Sequence, residues 1–370
     1  MSESKFKLAV VIGRFQPVHT GHVSIIKEAM KLADNLVILV GSSFRARDIQ
    51  NPWTFDERRT MLSNVFNDVL AEVAALDTSD RASESPVPNL IIKPIQDSLY
   101  NDSKWLLDVQ SAITDAYAEL NGGSPVGADD VVVVGHMKDH TSEYLKWFPQ
   151  YRTHNVTMCG NIHATEVRKV LFSDADPTCT IDVVSTSMPN YTTKYLRAFA
   201  QTSVFGQLVA EAAYHDRYKA QWAKSPYPPT FVTTDVVAEC KGHVLLVRRR
   251  TEPGKGLWAL PGGFVGQYET LVDSALRELR EETQLRCLNA TLKTYIRDTR
   301  VFDGPRRSLR GRTITHAYHI VLPFGELPEV KGDDDAEAAA WVPISEIVQR
   351  DMVESMFEDH AEIIRCLLGL

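Results

Sequence analysis

Short apolar runs and helical periods alternate through the first half of the chain. Leu8–Ile12, Leu36–Val40, Leu90–Ile92 and Val131–Val134 are uncharged and rich in Val, Leu and Ile, the pattern of strands buried on both faces. Between them, His22–Ala33, Phe55–Val69 and Lys104–Glu119 carry the apolar spacing of helices. This alternation predicts a parallel sheet covered by helices on both sides. Ser79–Pro88, rich in Ser and Pro, predicts a surface loop.

The pattern then changes. Thr192–Ala223 predicts one or two helices, and the Pro-rich Ser225–Thr230 stops helix sharply. Phe231–Glu239 and His243–Arg248 predict strands joined by a turn at Lys241–Gly242. A Gly-rich loop, a charged helix over Thr270–Thr283, further strands and a terminal helix over Ser345–Leu367 follow. The expected organisation is an α/β parallel-sheet domain over 1–190, a helical linker over 191–229 and a mixed α+β domain over 230–370.

A length of 370 residues agrees with two domains at roughly 150 residues each. Forty Lys and Arg against 48 Asp and Glu leave a net charge of −8, which gives no general reason to coat nucleic acid or an anionic membrane. The apolar runs fall far short of the ~20 residues of a membrane span. The N-terminal apolar stretch runs straight into Gly13-Arg14-Phe15 with no small-residue cleavage site, so a first strand is expected there and not a signal peptide. Five cysteines (Cys159, Cys179, Cys240, Cys287 and Cys366) form no C-x-x-C pair and fit a reducing cytoplasm.

Two stretches carry candidate chemistry. The first strand ends in Gly13-Arg14-Phe15-Gln16-Pro17-Val18-His19-Thr20-Gly21-His22. A Gly at a strand exit admits a ligand close to the backbone, and a following helix N-terminus favours phosphate. His19 and His22, three apart, are placed to face the same oxygens. In the second stretch, Glu278, Glu281 and Glu282 fall within about a 100° arc of one helix, where they repel one another unless a hard divalent cation binds.

The first stretch resembles the G-x-F-x-P-x-H-x-G-H signature of nucleotidyltransferases related to class I aminoacyl-tRNA synthetases. Ile162-His163-Ala164-Thr165-Glu166-Val167-Arg168 is similar to their I-S-x-T-x-x-R motif, with His163 where Ser is usual. Asn51-Pro52-Trp53-Thr54 with Glu57-Arg58, Tyr100-Asn101-Asp102 with Trp105, and Gly135–His140 ending in Phe148-Pro149 together resemble the archaeal-type nicotinamide-mononucleotide adenylyltransferases. The resemblance implies a Rossmann-like domain that uses His19, His22 and Arg168 in catalysis on the ATP phosphates. It further implies ATP binding by Gly13, Arg14, Phe15, Gly21, Lys138, Asp139 and Thr165, and nicotinamide recognition by Asn101 and Trp105.

Gly263, Glu269 and Arg277-Glu278-Leu279-Arg280-Glu281-Glu282 reproduce the spacing of the Nudix box, with Gln284 where a Gly is usual. This resemblance implies a Nudix fold in which Glu278 and Glu282 ligate metal and act in catalysis, Glu281 is a further ligand, and Glu269 pairs with Arg277. Asp333, Asp334, Asp335 and Glu337 are open candidates for a general base. Arg306, Arg310 and Arg312, in a stretch that also holds Arg307, are candidates for binding ADP-ribose, with surface charge balance as the alternative. Phe264, Tyr268, Tyr295 and Phe302 are candidates to stack on adenine, at least two of them being expected in the core.

In order, the two signatures resemble the bifunctional nicotinamide-nucleotide adenylyltransferase/Nudix hydrolase family. The resemblance implies Mg²⁺, or Mn²⁺, at both sites and small nucleotides as partners (ATP, nicotinamide mononucleotide, ADP-ribose). It implies no nucleic-acid or membrane partner and leaves a homo-oligomer open. Three alternatives stay open: a Nudix half that only senses ADP-ribose or NAD, a Nudix half that acts on another nucleoside diphosphate derivative, and an N-terminal half that adenylylates another phosphate.

Overall fold

The computed structural model describes residues 5–76, 88–136, 145–157, 163–173 and 176–370. Its contacts divide into two compact units, Met1–Ser43 with Ile49–Val209, and Phe44–Asp48 with Ala210–Leu370. Lys138, Asp139, and Ser79–Pro88 apart from Pro88, lie outside the described residues. Among the described residues, no helix is long and apolar enough to cross a membrane.

The first unit runs β1 (Leu8–Gly13), α1 (Thr20–Leu32), β2 (Asn35–Ser43), α2 (Phe55–Leu76), β3 (Asn89–Gln96), α3 (Asp102–Leu120), β4 (Val131–Gly135), β5 (Arg152–Asn155), α4 (Ala164–Leu171), α5 (Thr178–Ser185) and α6 (Asn190–Phe199). Its sheet is parallel throughout, in the order β3-β2-β1-β4-β5. The apolar strands are the inner ones: Leu8–Val10 and Val131, Val133 and Val134 have no measurable exposure. α3 buries Val109, Ile113, Ala116 and Tyr117, one face of a 3.6-residue period, against them. Val109 and Ile113 each contribute on the order of 1.5–3 kcal/mol by leaving water.

β5 escapes a search for apolar runs, because it is a polar edge strand whose residues are mostly exposed. The strand order reverses between β1 and β4, and in open parallel sheets ligands bind at the carboxyl ends on either side of such a switch.

α7 (Ser203–Ala220) precedes the second unit's strands, so Thr192–Ala223 holds two helices, α6 and α7. The elements that follow are β6 (Thr230–Cys240), β7 (His243–Arg249), β8 (Trp258–Ala259), β9 (Gly262–Phe264), α8 (Leu271–Thr283), α9 (Asn289–Thr294), β10 (Ile296–Phe302), β11 (Arg312–Val321) and β12 (Ala336–Pro343). The sheet is mixed, ordered β10-β11-β6-β7-β12 with β8 beside β7 and β9 beside β6. Only β6 and β11 pair in parallel. Lys241 and Gly242 make the β6–β7 turn with φ of 52° and 70°, the left-handed pair that a tight hairpin uses. α8 lays Ala275, Leu276 and Leu279 on a core of Val236, Ala238, Leu245 and Ile320, which turns its carboxylates the other way.

The single terminal helix expected over Ser345–Leu367 is instead three: α10 (Ile344–Ile347), α11 (Arg350–Val353) and α12 (His360–Leu368). Trp258 N–H donates to the Ser355 carbonyl and Phe357 N–H to the Trp258 carbonyl, so residues 355–357 run as an extended strip along β8. Met356 and Phe357 are thereby buried, and long-range pairing overrides the helical period.

Candidate active sites

In the first unit, Phe15 (φ 53°) turns its ring back over the strand exit, and a Cβ on Gly13 would meet that ring at 3.0 Å. His19 is the N-cap of α1, which starts two residues before His22, earlier than its apolar pattern indicates. His19 Nδ1 accepts the Gly21 N–H at 3.2 Å, and His22 Nδ1 accepts the His19 N–H at 3.2 Å. A Cβ on Gly21 would come within 3.0 Å of the His19 ring. Both glycines are needed to seat the rings.

With each Nδ1 lone pair committed to a backbone N–H, a neutral ring carries its proton on Nε2 and presents a donor there. Burial, together with the nearby His163, lowers His19 to about 4; burial and His19 hold His22 well below the usual histidine value. The two imidazoles are therefore neutral donors at pH 7. They line a cavity of about 190 Å³ with Gly21, Ile25, His136, Val156, Thr157, His163 and Ala164. The cavity lies at the carboxyl ends of β1 and β4 and at the N-termini of α1 and α4.

Arg168 is buried; its Nη1 donates to the Gln16 carbonyl and its Nη2 to Thr165 Oγ1 at 3.3 Å. The structure adds residues that sequence reasoning gave no role. His136 donates from Nδ1 to the Val156 carbonyl at 2.8 Å, so the residue just after β5 sets its tautomer. Arg58 is fully buried and donates to the carbonyls of Arg14, Gly41, Ser42 and Thr54, clamping the β1 and β2 exits. Burial lowers it to about 10. Arg14 itself is exposed.

Asn101 and Trp105 are not among the residues lining the cavity. Asn101 caps α3 by accepting the Lys104 N–H at 3.0 Å, and Trp105 packs on Trp147 and Phe148.

In the second unit one guanidinium gathers the carboxylates. Arg277 donates to both oxygens of Glu269 (2.9 and 2.7 Å) and from Nη1 to Glu278 and Glu281 (2.8 Å each). These bonds hold Glu269 down at about 2. Gly263 leaves room for Glu278, whose Oε1 lies 2.5 Å from where a Cβ would stand. Glu282 is buried and accepts the Gly262 N–H at 3.0 Å. Burial, and secondarily the charge of Glu278, push it up to about 8. A buried carboxylate, with the Arg249 charge in its field and two more hard oxygen donors beside it, suits a divalent metal ion.

Gln284 takes the left-handed cap of α8 (φ 52°), as a Gly would, and its side-chain amide bonds Asp333 at 2.6 Å. Lys331 and Asp333 donate their N–H groups to the carbonyls of Thr283 and Glu282, so the acidic loop is fastened to the carboxylate helix.

The arginines separate. Arg306 is exposed, and Arg312 is tied to the Asp303 carbonyl. Arg310 stands over the Phe264 ring at 5.1 Å, beside the box strand. Arg307 makes a buried bidentate pair with Asp359 (2.9 and 2.7 Å), a structural tie. Of the aromatic candidates Phe302 is fully buried in the core, whereas Phe264 is partly and Tyr268 almost wholly exposed.

A switch-point cavity capped by paired histidines, followed by a box of carboxylates on a mixed-sheet domain, defines a nucleotidyltransferase joined to a Nudix domain. Family models agree: cytidylyltransferase-like over residues 10–169 and NUDIX domain over 229–365. A bifunctional NMN adenylyltransferase/ADP ribose pyrophosphatase from Francisella tularensis, solved with AMP and a manganese ion, is 32% identical. The similarity covers 98% of this chain and 99% of that one, with a TM-score of 0.80. The nicotinamide/nicotinic acid mononucleotide adenylyltransferase of Acinetobacter baylyi is 28% identical over 59% of this chain and 96% of its own length. The ADP-ribose pyrophosphatase of Methanocaldococcus jannaschii is 32% identical over 36% of this chain and 70% of its own. The chain belongs to the family of bifunctional nicotinamide-mononucleotide adenylyltransferase/ADP-ribose pyrophosphatases.

Proposed function

We propose that the N-terminal half transfers AMP from ATP to nicotinamide mononucleotide, giving NAD and pyrophosphate, and that the C-terminal half hydrolyses ADP-ribose to AMP and ribose 5-phosphate. The observation that carries the first half is the pair of fixed Nε2–H donors facing a cavity at two helix N-termini. In transfer, a phosphate oxygen of the mononucleotide attacks the α-phosphorus of ATP in line and pyrophosphate leaves. No protein nucleophile is required, so catalysis is positioning and charge stabilisation. His19, His22 and the helix N–H groups donate to phosphate oxygens without bringing a competing charge, and Arg168 adds the positive one. Lys138 and Asp139 are assigned to ATP by resemblance. Asn101 and Trp105 are assigned to the nicotinamide ring on the same ground; the helix cap occupies only Oδ1 of Asn101.

In the C-terminal half, Glu278, Glu281 and Glu282 would hold a divalent cation, Mg²⁺ by preference. When bound, such a cation supplies activation of the attacking water and charge neutralisation at the diphosphate. Arg277 positions Glu278 and Glu281 and keeps Glu269 on the loop side of the helix. We place the protein in the cytoplasm, where these nucleotides occur.

Chromatographic product analysis tests the proposal. With a divalent cation, ATP plus nicotinamide mononucleotide is expected to give NAD, and ADP-ribose to give AMP. NAD without AMP would make the second domain a sensor; no NAD would mean a different phosphate acceptor.

A further inference from the structure

Glu358 lies at the turn that leads from the β8-bound strip into α12. Its backbone is left-handed, with φ of 44°, a conformation side chains rarely adopt. Its side chain is 10% exposed, and Oε2 is buried with no hydrogen-bond partner among the described residues. Buried orphan acceptors and strained backbones are costly, and where both fall on one residue a function is a reasonable cause.

Among the cations around Glu358, which include Arg249 and Arg307, Arg310 forms the ion pair: its Nη2 stands 3.7 Å from Oε2, too long for a hydrogen bond. Arg310 is held in place, with Nε on Ser308 Oγ at 3.3 Å and its guanidinium over the rings of Phe264 and Phe357. Phe264 ends β9, the strand whose Gly262 N–H bonds Glu282 and whose Phe264 carbonyl accepts from Arg277. The Glu358–Arg310 pair therefore borders the carboxylate helix. Phe357 also carries Arg249 on its ring at 4.3 Å, and Arg249 feels the charges of both Glu358 and Glu282.

A donor and an acceptor 3.7 Å apart are bridged by a group that can accept from one and donate to the other. A hydroxyl does both, with each leg close to a normal hydrogen-bond length. An ionised diphosphate has no proton to give and is repelled by the carboxylate. We propose that Glu358 and Arg310 together bind a ribose hydroxyl of the nucleoside-diphosphate substrate, which makes Glu358 a specificity-determining residue of the hydrolase site. This rests on the reading that the C-terminal half acts on ADP-ribose.

The test uses the full chain with Mn²⁺ and three substrates: ADP-ribose, its analogue lacking the 2′-hydroxyl on the adenosine side, and its analogue with 2-deoxyribose at the far end. The wild-type protein is expected to disfavour one analogue, which identifies the ribose. Glu358→Ala is expected to raise KM for ADP-ribose by about tenfold with kcat within about twofold, and to remove discrimination against that analogue. Glu358→Gln, nearly isosteric, is expected to fall between and guards against misfolding. Unchanged discrimination in both variants, or a loss confined to kcat, would overturn the inference. If the wild-type protein leaves ADP-ribose uncut, the reading of the hydrolase fails by itself. Calorimetric binding of ADP-ribose and the two analogues, compared between wild type and Glu358→Gln, then decides the inference: equal affinities overturn it.

Discussion

The imidazoles of His19 and His22 lie with ring centroids 3.8 Å apart and cap one helix reciprocally, each Nδ1 accepting a backbone N–H of the same turn. A capping box is usually built from a hydroxyl and a carboxylate. Built from two imidazoles, it leaves two uncharged donors at the wall of the cavity.

Replacing His22 by Ala is expected to abolish NAD formation and leave ADP-ribose hydrolysis intact, since the carboxylate site belongs to the other compact unit. Equal loss of both activities would show that the sites are not independent.

The same histidines impose a pH dependence on stability. Both titrate lower in the folded state than the ordinary value near 6.5, with His19 at about 4. Between those values the unfolded chain binds the proton and the folded one does not. The stability these two histidines contribute is therefore complete above the ordinary histidine value near 6.5 and declines as pH falls toward 4. His19→Asn retains a capping acceptor and cannot titrate. Its urea-unfolding midpoint is expected to fall less steeply across this window than that of the wild type; parallel curves would refute the assignment.

Mn²⁺ is expected to raise the melting temperature of the wild-type protein, and Glu282→Gln is expected to remove both that rise and divalent-dependent hydrolysis. Unchanged turnover, or an undiminished Mn²⁺ shift, would sink the ligand assignment.

Arg277 serves three carboxylates through a planar fork that a lysine lacks. Arg277→Lys is expected to lower kcat for ADP-ribose by roughly 10- to 100-fold, the usual effect of disturbing groups that orient metal ligands. NAD formation serves as the internal control.

Arg307 and Asp359 form a bidentate pair with side-chain exposures of 2% and 0%. Arg307→Leu leaves an uncompensated buried carboxylate and is expected to cost about 3–5 kcal/mol of stability. Gln284→Gly and Gln284→Ala both lose the Asp333 bond, but only Gly relieves the left-handed non-glycine cap, so the Gly variant is expected to be the more stable of the two, by roughly 1 kcal/mol. Denaturant midpoints of the three variants check both statements.

What could be read from the chain followed from how local its signals are. Buried parallel strands are continuous apolar runs, so β1 to β4 stand out, whereas β5 (Arg152–Asn155) has no apolar run to find. The histidines at 19 and 22 and the carboxylates at 278, 281 and 282 lie within one or two helical turns, so spacing alone puts them together. The Arg277–Glu269 tie, eight residues apart, followed from the resemblance and is present.

Spacing carries no such information about partners far apart in the chain. His136 acquires its tautomer from a carbonyl 20 residues away, and Arg307 meets Asp359 across 52. The helix expected over Ser345–Leu367 breaks because Trp258, almost a hundred residues earlier, offers its backbone to Ser355 and Phe357. That break turns Glu358 toward Arg310. The amino-acid sequence by itself determined the two domain types and the residues at the heart of each site, because helical and strand periods are properties of neighbouring residues. Only the tertiary structure decided which arginines are ties and which stand beside the carboxylate box, because burial and pairing depend on what the whole fold brings alongside.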